Sequence, residues 1–304
     1  NMGLSFLANG SFSEGFKLSE WRWKTKKRTG QFLKSAKPLW NGERNKRVLV
    51  WGEQGIGDEI MFSSIIPELQ KISSGVILQC DGRLIPLFER SFPDNIVYYS
   101  DIKAAAEDEY DFHIPIGSLP NIFRTSLESF KKSSAGFLNY DREKSGGLRD
   151  TILAGEEKKI IGISWSTKSS VRNASQRCIE LADLAQTLGS ANTQMVSLQY
   201  GDVDDEVKAV ERDFGIKIMQ VAAIDNMNDI DGLASLIMSC DEVVTTTNAT
   251  VHLAGALGAN VKVLLPFSSR WIWGGEGSDS YWYDAVLPYR QRNAGDWSDV
   301  LSHL

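Results

Sequence analysis

The stretch GEQGIGD, residues 52–58, places three glycines and an aspartate directly after an apolar run, VLVW at 48–51. Glycine lets a bound molecule approach the backbone closely. A carboxylate that follows a buried strand lies at the edge where open α/β sheets bind ligands, so Asp58 could take a proton from an incoming hydroxyl group. The alternative is that Asp58 only caps the following helix, because aspartate is a favoured N-cap residue.

The spacing of these glycines argues against two nucleotide-binding motifs. They run G-x-x-G-x-G rather than the G-x-G-x-x-G of the dinucleotide fingerprint. A P-loop would need a Lys-Ser or Lys-Thr pair after the glycines, and none follows. The stretch is therefore neither a dinucleotide fingerprint nor a P-loop.

The stretch TTTNATVHLAGALG, 245–258, is typical of a strand end that runs into a helix. We expect Thr247 or Asn248 to be the N-cap. Free backbone N–H groups and the helix dipole at such a start suit a phosphate. An ordinary capped helix with small residues for close packing has the same pattern, and His252, one turn in, could be a packed histidine.

A third stretch, GISWSTKSSVRNASQR at 162–177, also follows a predicted strand end. It carries Lys168, Arg172 and Arg177, together with Asn173, in a serine-rich loop. Such a loop fits a pyrophosphate, because cationic side chains bind phosphate oxygens well. A solvated charged loop is the alternative.

Short apolar runs alternate with helical patterns around these stretches, as in a parallel α/β sheet. A first array holds predicted strands at 48–51, 76–80, 95–100 and 111–116. The alternation restarts at KIIGISW, 159–165, and continues to VKVLLPF. The sequence therefore predicts an α/β protein with two Rossmann-like domains. We expect them to face a ligand cleft, with residues 54–58 on one wall and 247–252 on the other.

A polar stretch at 139–150 marks the predicted domain boundary, so the first domain covers 46–145 and the second 146–304. The tail from Ser268 is rich in Trp and Tyr, and we expect it to pack back over one domain.

Residues 1–45 precede the first predicted strand. Two helical patterns within 1–25, with Trp21 and Trp23 among their apolar anchors, predict a helical hairpin whose apolar face docks on the transferase or on preceding repeats. The rest of the segment is basic and polar and indicates a connector.

Composition limits the possible classes of function. The chain has 304 residues and a formal net charge of -6, so its bulk charge does not favour nucleic-acid binding. No apolar run approaches the ~18 residues of a membrane span. The three cysteines and three histidines are scattered and form no CxxC pair, which predicts a reduced, cytoplasmic protein without a Cys/His metal site.

Taken together, these stretches resemble the glycosyltransferase domain at the C-terminal end of bacterial tetratricopeptide-repeat proteins. That family is related to the heptosyltransferases and, more distantly, to the O-GlcNAc transferases. The resemblance covers nearly the whole chain and rests on motifs in the same order: GSFSEGFKLSEWRW, PLWNGE, WGEQGIGDEIMF, IPIGSLP, SWSTKSSVRNASQRCIEL, VSLQYG, VHLAGALG, LLPF, SDSYWY and RQRNAGDW. It implies the GT-B architecture, with the first motif as the last hairpin of a repeat array.

The resemblance also implies a function, that of an inverting, metal-independent glycosyltransferase that uses a nucleotide sugar and no cofactor. By match to the G-x-G-D motif of the heptosyltransferase relatives, Asp58 would be the general base. The acceptor-side residues would be Gln54, Gly55, Gly57 and Ser118. The donor-binding residues would be Trp165, Lys168, Asn173, Arg177, Gln199, Thr247, Asn248 and His252.

Two departures from the family pattern leave alternatives open. Thr247, Asn248 and Ala249 stand where the family usually has Asp-Thr-Ala, and Trp165 begins W-S-T-K where the family has W-x-G-N. An inactive nucleotide-sugar-binding module and a nucleotide-sugar epimerase are the alternative functions. A polypeptide presented by upstream repeats is the candidate acceptor.

Overall fold

The computed structural model describes residues 2–25, 32–92, 94–130, 135–167, 174–275 and 280–304. The chain forms two compact units. The first covers Asn1–Lys132 with Gly274–Gly277, and the second covers Ser133–Trp273 with Ser278–Leu304. Each unit is built on one parallel β-sheet.

The sheet of the first unit has four strands: β1 (Arg47–Trp51), β2 (Gly75–Gln79), β3 (Ile96–Tyr99) and β4 (Phe112–Pro115). Their order is β3-β2-β1-β4, and every pair is parallel. Strands β1 and β2 are buried along most of their length, as expected for continuous apolar runs covered on both faces. All four strands form where the sequence predicts them.

The path of the chain through this sheet reverses next to β1. It runs outward from β1 through β2 to β3, then crosses back to β4 on the other side of β1. Such a reversal leaves a crevice at the carboxyl ends of the two strands that flank it, where open α/β sheets bind ligands. The loops at 52–55 and 116–119 border this crevice.

The sheet of the second unit has six strands: β5 (Lys159–Ser164), β6 (Thr193–Ser197), β7 (Ile218–Met219), β8 (Glu242–Thr246), β9 (Val261–Leu265) and β10 (Val286–Arg290). Their order is β10-β9-β8-β5-β6-β7, again with parallel pairs throughout. The chain reverses between β5 and β8, so a second crevice opens at the carboxyl ends of these strands.

Strand β10 is an element that the sequence analysis missed. It lies in the aromatic-rich tail and pairs with β9 from Val286 to Arg290. Its run contains Pro288, which argues against a strand because proline has no N–H to donate. The strand is at the edge of the sheet, where one side of the backbone needs no partner strand.

Helices cover both sheets. They are α1 (Met2–Ala8), α2 (Phe12–Ser19), α3 (Ile56–Ser63), α4 (Ile66–Gln70), α5 (Ile85–Ser91), α6 (Pro120–Phe123), α7 (Arg142–Leu153), α8 (Leu181–Leu188), α9 (Asp204–Phe214), α10 (Ile230–Ser239), α11 (Ala249–Leu257) and α12 (Ser298–Leu301). In the described part of the chain, none has the length and apolar character needed to cross a bilayer.

Helix α7 lies in the polar stretch that the sequence analysis assigned to a domain boundary. Asp141 caps it by accepting a hydrogen bond from the N–H of Lys144 at 2.9 Å. Arg149 fastens it to α10 by donating to the carbonyl of Ser239 at 2.8 Å. The helix belongs wholly to the second unit, which begins at residue 133 rather than 146.

Helices α1 and α2 pack closely through small residues. A side chain at Gly3 would lie 3.0 Å from the carbonyl oxygen of Gly15, and one at Gly15 would overlap Leu7. A short 3₁₀ helix, Glu20–Lys24, follows α2 directly. Its Trp23 ring packs on the Trp51 ring, with a centroid distance of 5.4 Å.

Trp21 does not dock on the first unit, so for this residue only the contact with preceding repeats stays a prediction. Its side chain is 60% exposed, with the ammonium group of Lys24 4.3 Å from its ring centroid. Neighbouring residues of a short helix point in different directions, so only one of the two tryptophans reaches the sheet.

We expect Trp23→Ala to lower the free energy of unfolding by about 2 kcal/mol, since a half-buried aromatic side chain would leave a cavity beside Trp51 and Phe32. Trp21→Ala is the matched control and should change it by less than about 0.5 kcal/mol. Urea denaturation measures both. Equal losses in the two variants would contradict the packing described here.

Candidate functional site

Asp58 lies at the carboxyl edge of the first sheet, in the first turn of α3. The N-cap of this helix is Gly55, so Asp58 occupies the third helical position and is not the cap. Its backbone N–H donates to the carbonyl of Gly55 at 2.9 Å. The cap-only interpretation of the sequence is therefore wrong, while a carboxylate in the first turn still interacts favourably with the helix dipole.

Glu59, the next residue, was not singled out from the sequence. It is only 6% exposed, and one oxygen accepts a hydrogen bond from the N–H of Asp81, past the end of β2, at 2.8 Å. A Cβ atom at Gly52 would lie 2.3 Å from its other oxygen. The first glycine of the stretch is therefore required because the carboxyl group of Glu59 packs against its backbone.

Burial raises the pKa of Glu59 from 4.5 to about 7, and the hydrogen bond from Asp81 opposes this rise. The negative charges of Asp81 and Asp58 add to it. No local pattern marks a buried glutamate on α3, because its burial depends on β2, which is distant in sequence.

The acceptor-side residues predicted from the resemblance differ in accessibility. Gln54 and Gly55 are exposed, and Gly57 is half-buried within α3. Ser118 is buried, and its hydroxyl donates to Glu20 at 2.8 Å while it accepts from Arg22 at 2.7 Å. Its one O–H donor is thus already engaged within the protein.

At the crevice of the second unit, Gln199 orders the end of β5. Its buried side-chain oxygen accepts three hydrogen bonds of 3.0 Å, from the hydroxyl of Ser164 and the N–H groups of Trp165 and Ser166. Its amide nitrogen donates to the carbonyls of Ser166 and Tyr200 at 3.3 Å. This predicted donor residue therefore acts on the loop that leaves β5.

Asn248 is the N-cap of α11, one of the two residues that the sequence proposed. Its side-chain oxygen accepts from the N–H of Thr250 at 2.9 Å. Its nitrogen donates to the hydroxyl of Ser164 at 2.8 Å and to the carbonyl of Ser166 at 3.0 Å. The start of α11 is thus joined to the end of β5 across the crevice.

Two threonines at this helix start have buried hydroxyl groups without a hydrogen-bond partner among the residues that the structure describes. They belong to Thr247, which is 8% exposed, and Thr250, which is 1% exposed. Buried polar groups are nearly always hydrogen-bonded. These two hydroxyl groups are exceptions, so each could still donate to or accept from a ligand.

Arg177 reaches the same helix start from the 3₁₀ helix Ala174–Arg177. One terminal nitrogen donates to the carbonyl of Thr247 at 3.4 Å, and the other is buried with no hydrogen-bond partner in the described part of the chain. An arginine in this state provides a cationic donor beside the N-terminus of α11.

His252 and Trp165 are built into the interior of the second unit. His252 is buried, with Nδ1 2.9 Å from the hydroxyl of Tyr283 and its ring stacked on Trp273. His252 is therefore a packed histidine, which was the alternative to a ligand-binding role. The indole of Trp165 lies in the hydrophobic core, and its Nε1 donates to Glu206 at 2.6 Å, so only its backbone borders the crevice. Lys168, Arg172 and Asn173 lie outside the described residues.

A cavity of about 390 Å³ adjoins Gln199 at the carboxyl ends of β6 and β7. Apolar atoms of Ile224 and Met227 contribute to its wall, and Met227 is 48% exposed. Ser197 and Asn226 also belong to the lining, but the hydroxyl of Ser197 and the side-chain oxygen of Asn226 are themselves buried, with no hydrogen-bond partner among the described residues. Polar residues make up most of the lining of the cavity.

No protein-family profile matches the chain. Protein FlbA of Caulobacter vibrioides is 28% identical over 98% of this chain, which spans about half (52%) of the length of that curated relative. The glycosyl transferase family 9 structure from Veillonella parvula is 12% identical and superposes with a TM-score of 0.57, covering 83% of this chain and 87% of its own.

The Escherichia coli ADP-heptose LPS heptosyltransferase II is a further structural neighbour. It is 13% identical and superposes with a TM-score of 0.57, covering 82% of this chain and 92% of its own. At such identities the likeness shows the fold alone. The two parallel α/β sheets match the fold of these two glycosyltransferase structures, as the sequence predicted; the tetratricopeptide and O-GlcNAc-transferase relationships stay predictions.

The raised pKa of Glu59 predicts a specific pH dependence of stability. The folded state holds this proton more tightly than the unfolded state, so the free energy of unfolding should fall as the pH rises from about 4.5 to about 7. Glu59→Gln removes this contribution and should be more stable than the parent at pH 8 by about 1–3 kcal/mol, but not at pH 4. Thermal and urea unfolding across this range measure the difference.

Glu14→Gln, which alters an exposed glutamate, is the control and should follow the parent at every pH. A Glu59→Gln curve parallel to that of the parent would contradict the buried, proton-holding carboxyl group.

Proposed function

We propose that the protein is a glycosyltransferase that moves a sugar from a nucleoside-diphosphate donor to an acceptor hydroxyl. The observation that carries this proposal is the group of unused donors at the crevice of the second unit. The buried nitrogen of Arg177 and the hydroxyls of Thr247 and Thr250 surround the N-terminus of α11. Helix N-termini and arginines are the groups that bind phosphate oxygens most readily.

The donor diphosphate would bind at this helix start. Arg177 and the N–H groups of α11 would stabilise the negative charge that develops on the leaving nucleoside diphosphate. Gln199 and Asn248 would hold the backbone of residues 164–166 in position, because their side chains already satisfy it. The loss of the family's usual aspartate at position 247 removes a negative charge from this end of the helix.

The cavity beside Gln199 would hold the nucleobase. A base could contact the side chains of Ile224 and Met227, while its ring nitrogens and exocyclic groups pair with polar residues of the lining such as Gln220 and Asn228. The fold shared with an ADP-heptose heptosyltransferase supports an adenine nucleotide as the first donor to test.

On the first unit, Asp58 would remove the proton from the acceptor hydroxyl as its oxygen attacks the anomeric carbon. The bond to the diphosphate breaks in the same displacement, so the configuration at that carbon inverts. Charge on the leaving group is stabilised by protein groups, and the proposed mechanism uses neither a metal ion nor a cofactor. A hydroxyl group on a polypeptide is the proposed acceptor.

We expect Asp58→Asn to abolish transfer while donor affinity holds. Asparagine keeps the size of the side chain but cannot accept the proton, and loss of a general base typically slows a reaction about 10²–10⁴-fold. Nucleoside-diphosphate release from the nucleotide sugar measures turnover, and calorimetry with ADP measures binding. A variant that turns over at the parental rate would rule out Asp58 as the base, and a parent that binds nucleotide without turnover would indicate a binding module.

We expect Arg177→Met to weaken ADP binding about 10–100-fold, the usual range for a charged hydrogen bond. Arg212→Met is the matched control, because Arg212 is exposed on α9 of the same unit and pairs only with its neighbour Asp213 in the described contacts. Titration calorimetry measures both variants. Equal affinity in the parent and Arg177→Met would reject the diphosphate site.

A further inference from the structure

The guanidinium group of Arg22 extends from the 3₁₀ helix after α2 to the loops that border the crevice of the first sheet. Its Nε donates to Glu53 at 2.9 Å, and its Nη2 donates to the other oxygen of the same carboxylate at 2.5 Å. The same Nη2 also donates to the hydroxyl of Ser118 at 2.7 Å. One arginine therefore joins the loop after β1 to the loop after β4.

Glu20 completes this network on the side of the N-terminal helices. Its Oε1 accepts from Arg22 at 2.7 Å, from Ser118 at 2.8 Å and from Asn121 at 2.9 Å. The Arg22 side chain is 23% exposed and that of Glu53 only 3%. The hydrogen bonds are thus largely protected from solvent, which strengthens them.

The loops themselves are in contact only because residue 117 is glycine. A Cβ atom at Gly117 would lie 2.6 Å from the carboxylate of Glu53 and 2.7 Å from the amide nitrogen of Gln54. Gly55, the N-cap of α3, follows Gln54 directly, and Asp58 lies in the first turn of that helix. The carboxylate of Glu53 is thus held two residues before the N-cap of α3.

A buried ion pair is a poor source of stability, because desolvation of both charges offsets much of their attraction. Burial raises the pKa of Glu53, and the hydrogen bond from Arg22 acts in the opposite direction. The planar guanidinium group of arginine, however, binds both oxygens of a carboxylate and thereby fixes its orientation, which the single ammonium group of lysine does not. The arrangement is suited to setting geometry.

We propose that Arg22 is a positioning residue of the acceptor-side site, through which the N-terminal helical segment holds the Glu53 loop and the first turn of α3 in place. Its effect on turnover rests on the proposed glycosyltransferase function, in which Asp58 is the base. Its effect on the order of the loop does not.

Hydrogen–deuterium exchange of the whole chain tests the positioning directly. In Arg22→Met, the amides of residues 54–60 should exchange at least about tenfold faster. In the parent, opening of this segment requires the ion pair to break, and in the variant this cost is absent. Peptides from β5 and β8 should be unchanged. Lys24→Met is the matched control: it removes a positive charge from the same short helix, where Lys24 lies over the Trp21 ring. Parental exchange at 54–60 in Arg22→Met would overturn the proposal.

Two further variants separate geometry from charge. Arg22→Lys keeps the charge but not the fork, and its exchange at 54–60 should be faster than in the parent. This variant also decides the question if Arg22→Met does not fold. The double variant Arg22→Met/Glu53→Gln removes both charges, and its exchange should stay fast. Parental protection in Arg22→Lys or in the double variant would show that Arg22 only balances the charge of Glu53.

The kinetic readout is hydrolysis of a nucleoside-diphosphate sugar, with water as the acceptor. We expect Arg22→Met to lower kcat about tenfold and to leave the KM for the donor unchanged, since the donor groups lie on the other unit. Lower kcat with unchanged KM supports the role in turnover, and parental kcat overturns it. Hydrogen–deuterium exchange needs neither acceptor nor turnover, so it decides whether Arg22 positions the loop even where the parent hydrolyses no donor.

Discussion

The second unit depends on two buried amide side chains that satisfy the backbone where β5 ends. A loop that leaves a buried strand carries N–H and C=O groups that cannot remain unpaired. Gln199 and Asn248 supply the partners for Ser164, Trp165 and Ser166 from two different strand ends. The start of α11 is thereby held beside the end of β5, where Arg177 and Thr247 keep buried polar atoms without a partner among the described residues.

In the first unit, charged side chains hold the loops at the strand ends. There the loops after β1 and β4 are joined by the carboxylate of Glu53 and the guanidinium of Arg22, which comes from outside the sheet. Glycines at 52 and 117 make room for the buried carboxylates of Glu59 and Glu53. The glycine-rich stretch is therefore a packing requirement as well as an open approach to the backbone of residue 55.

Much of the fold could be predicted from the sequence. Strands buried on both faces are continuous apolar runs, and helix starts carry local caps such as Asn248. The positions of these strands and helices can therefore be predicted from short stretches of sequence. The misses have physical reasons as well. Strand β10 contains a proline that only an edge strand tolerates, and α7 is too polar to show an apolar face, although Arg149 fastens it to α10.

By itself, the sequence determined the two parallel arrays and the loops that carry candidate residues, because these follow from periodicity and caps. Only the tertiary structure decided which side chains remain available to a ligand. Ser118 is engaged by Glu20, 98 residues away, and Gln199 by Ser164, 35 residues away. Arg177 and Thr247 keep buried atoms that have no hydrogen-bond partner within the described ranges. Hydrogen bonds between distant segments form only when the strand ends meet, so no local pattern distinguishes a residue that supports the site from one that could bind its ligand.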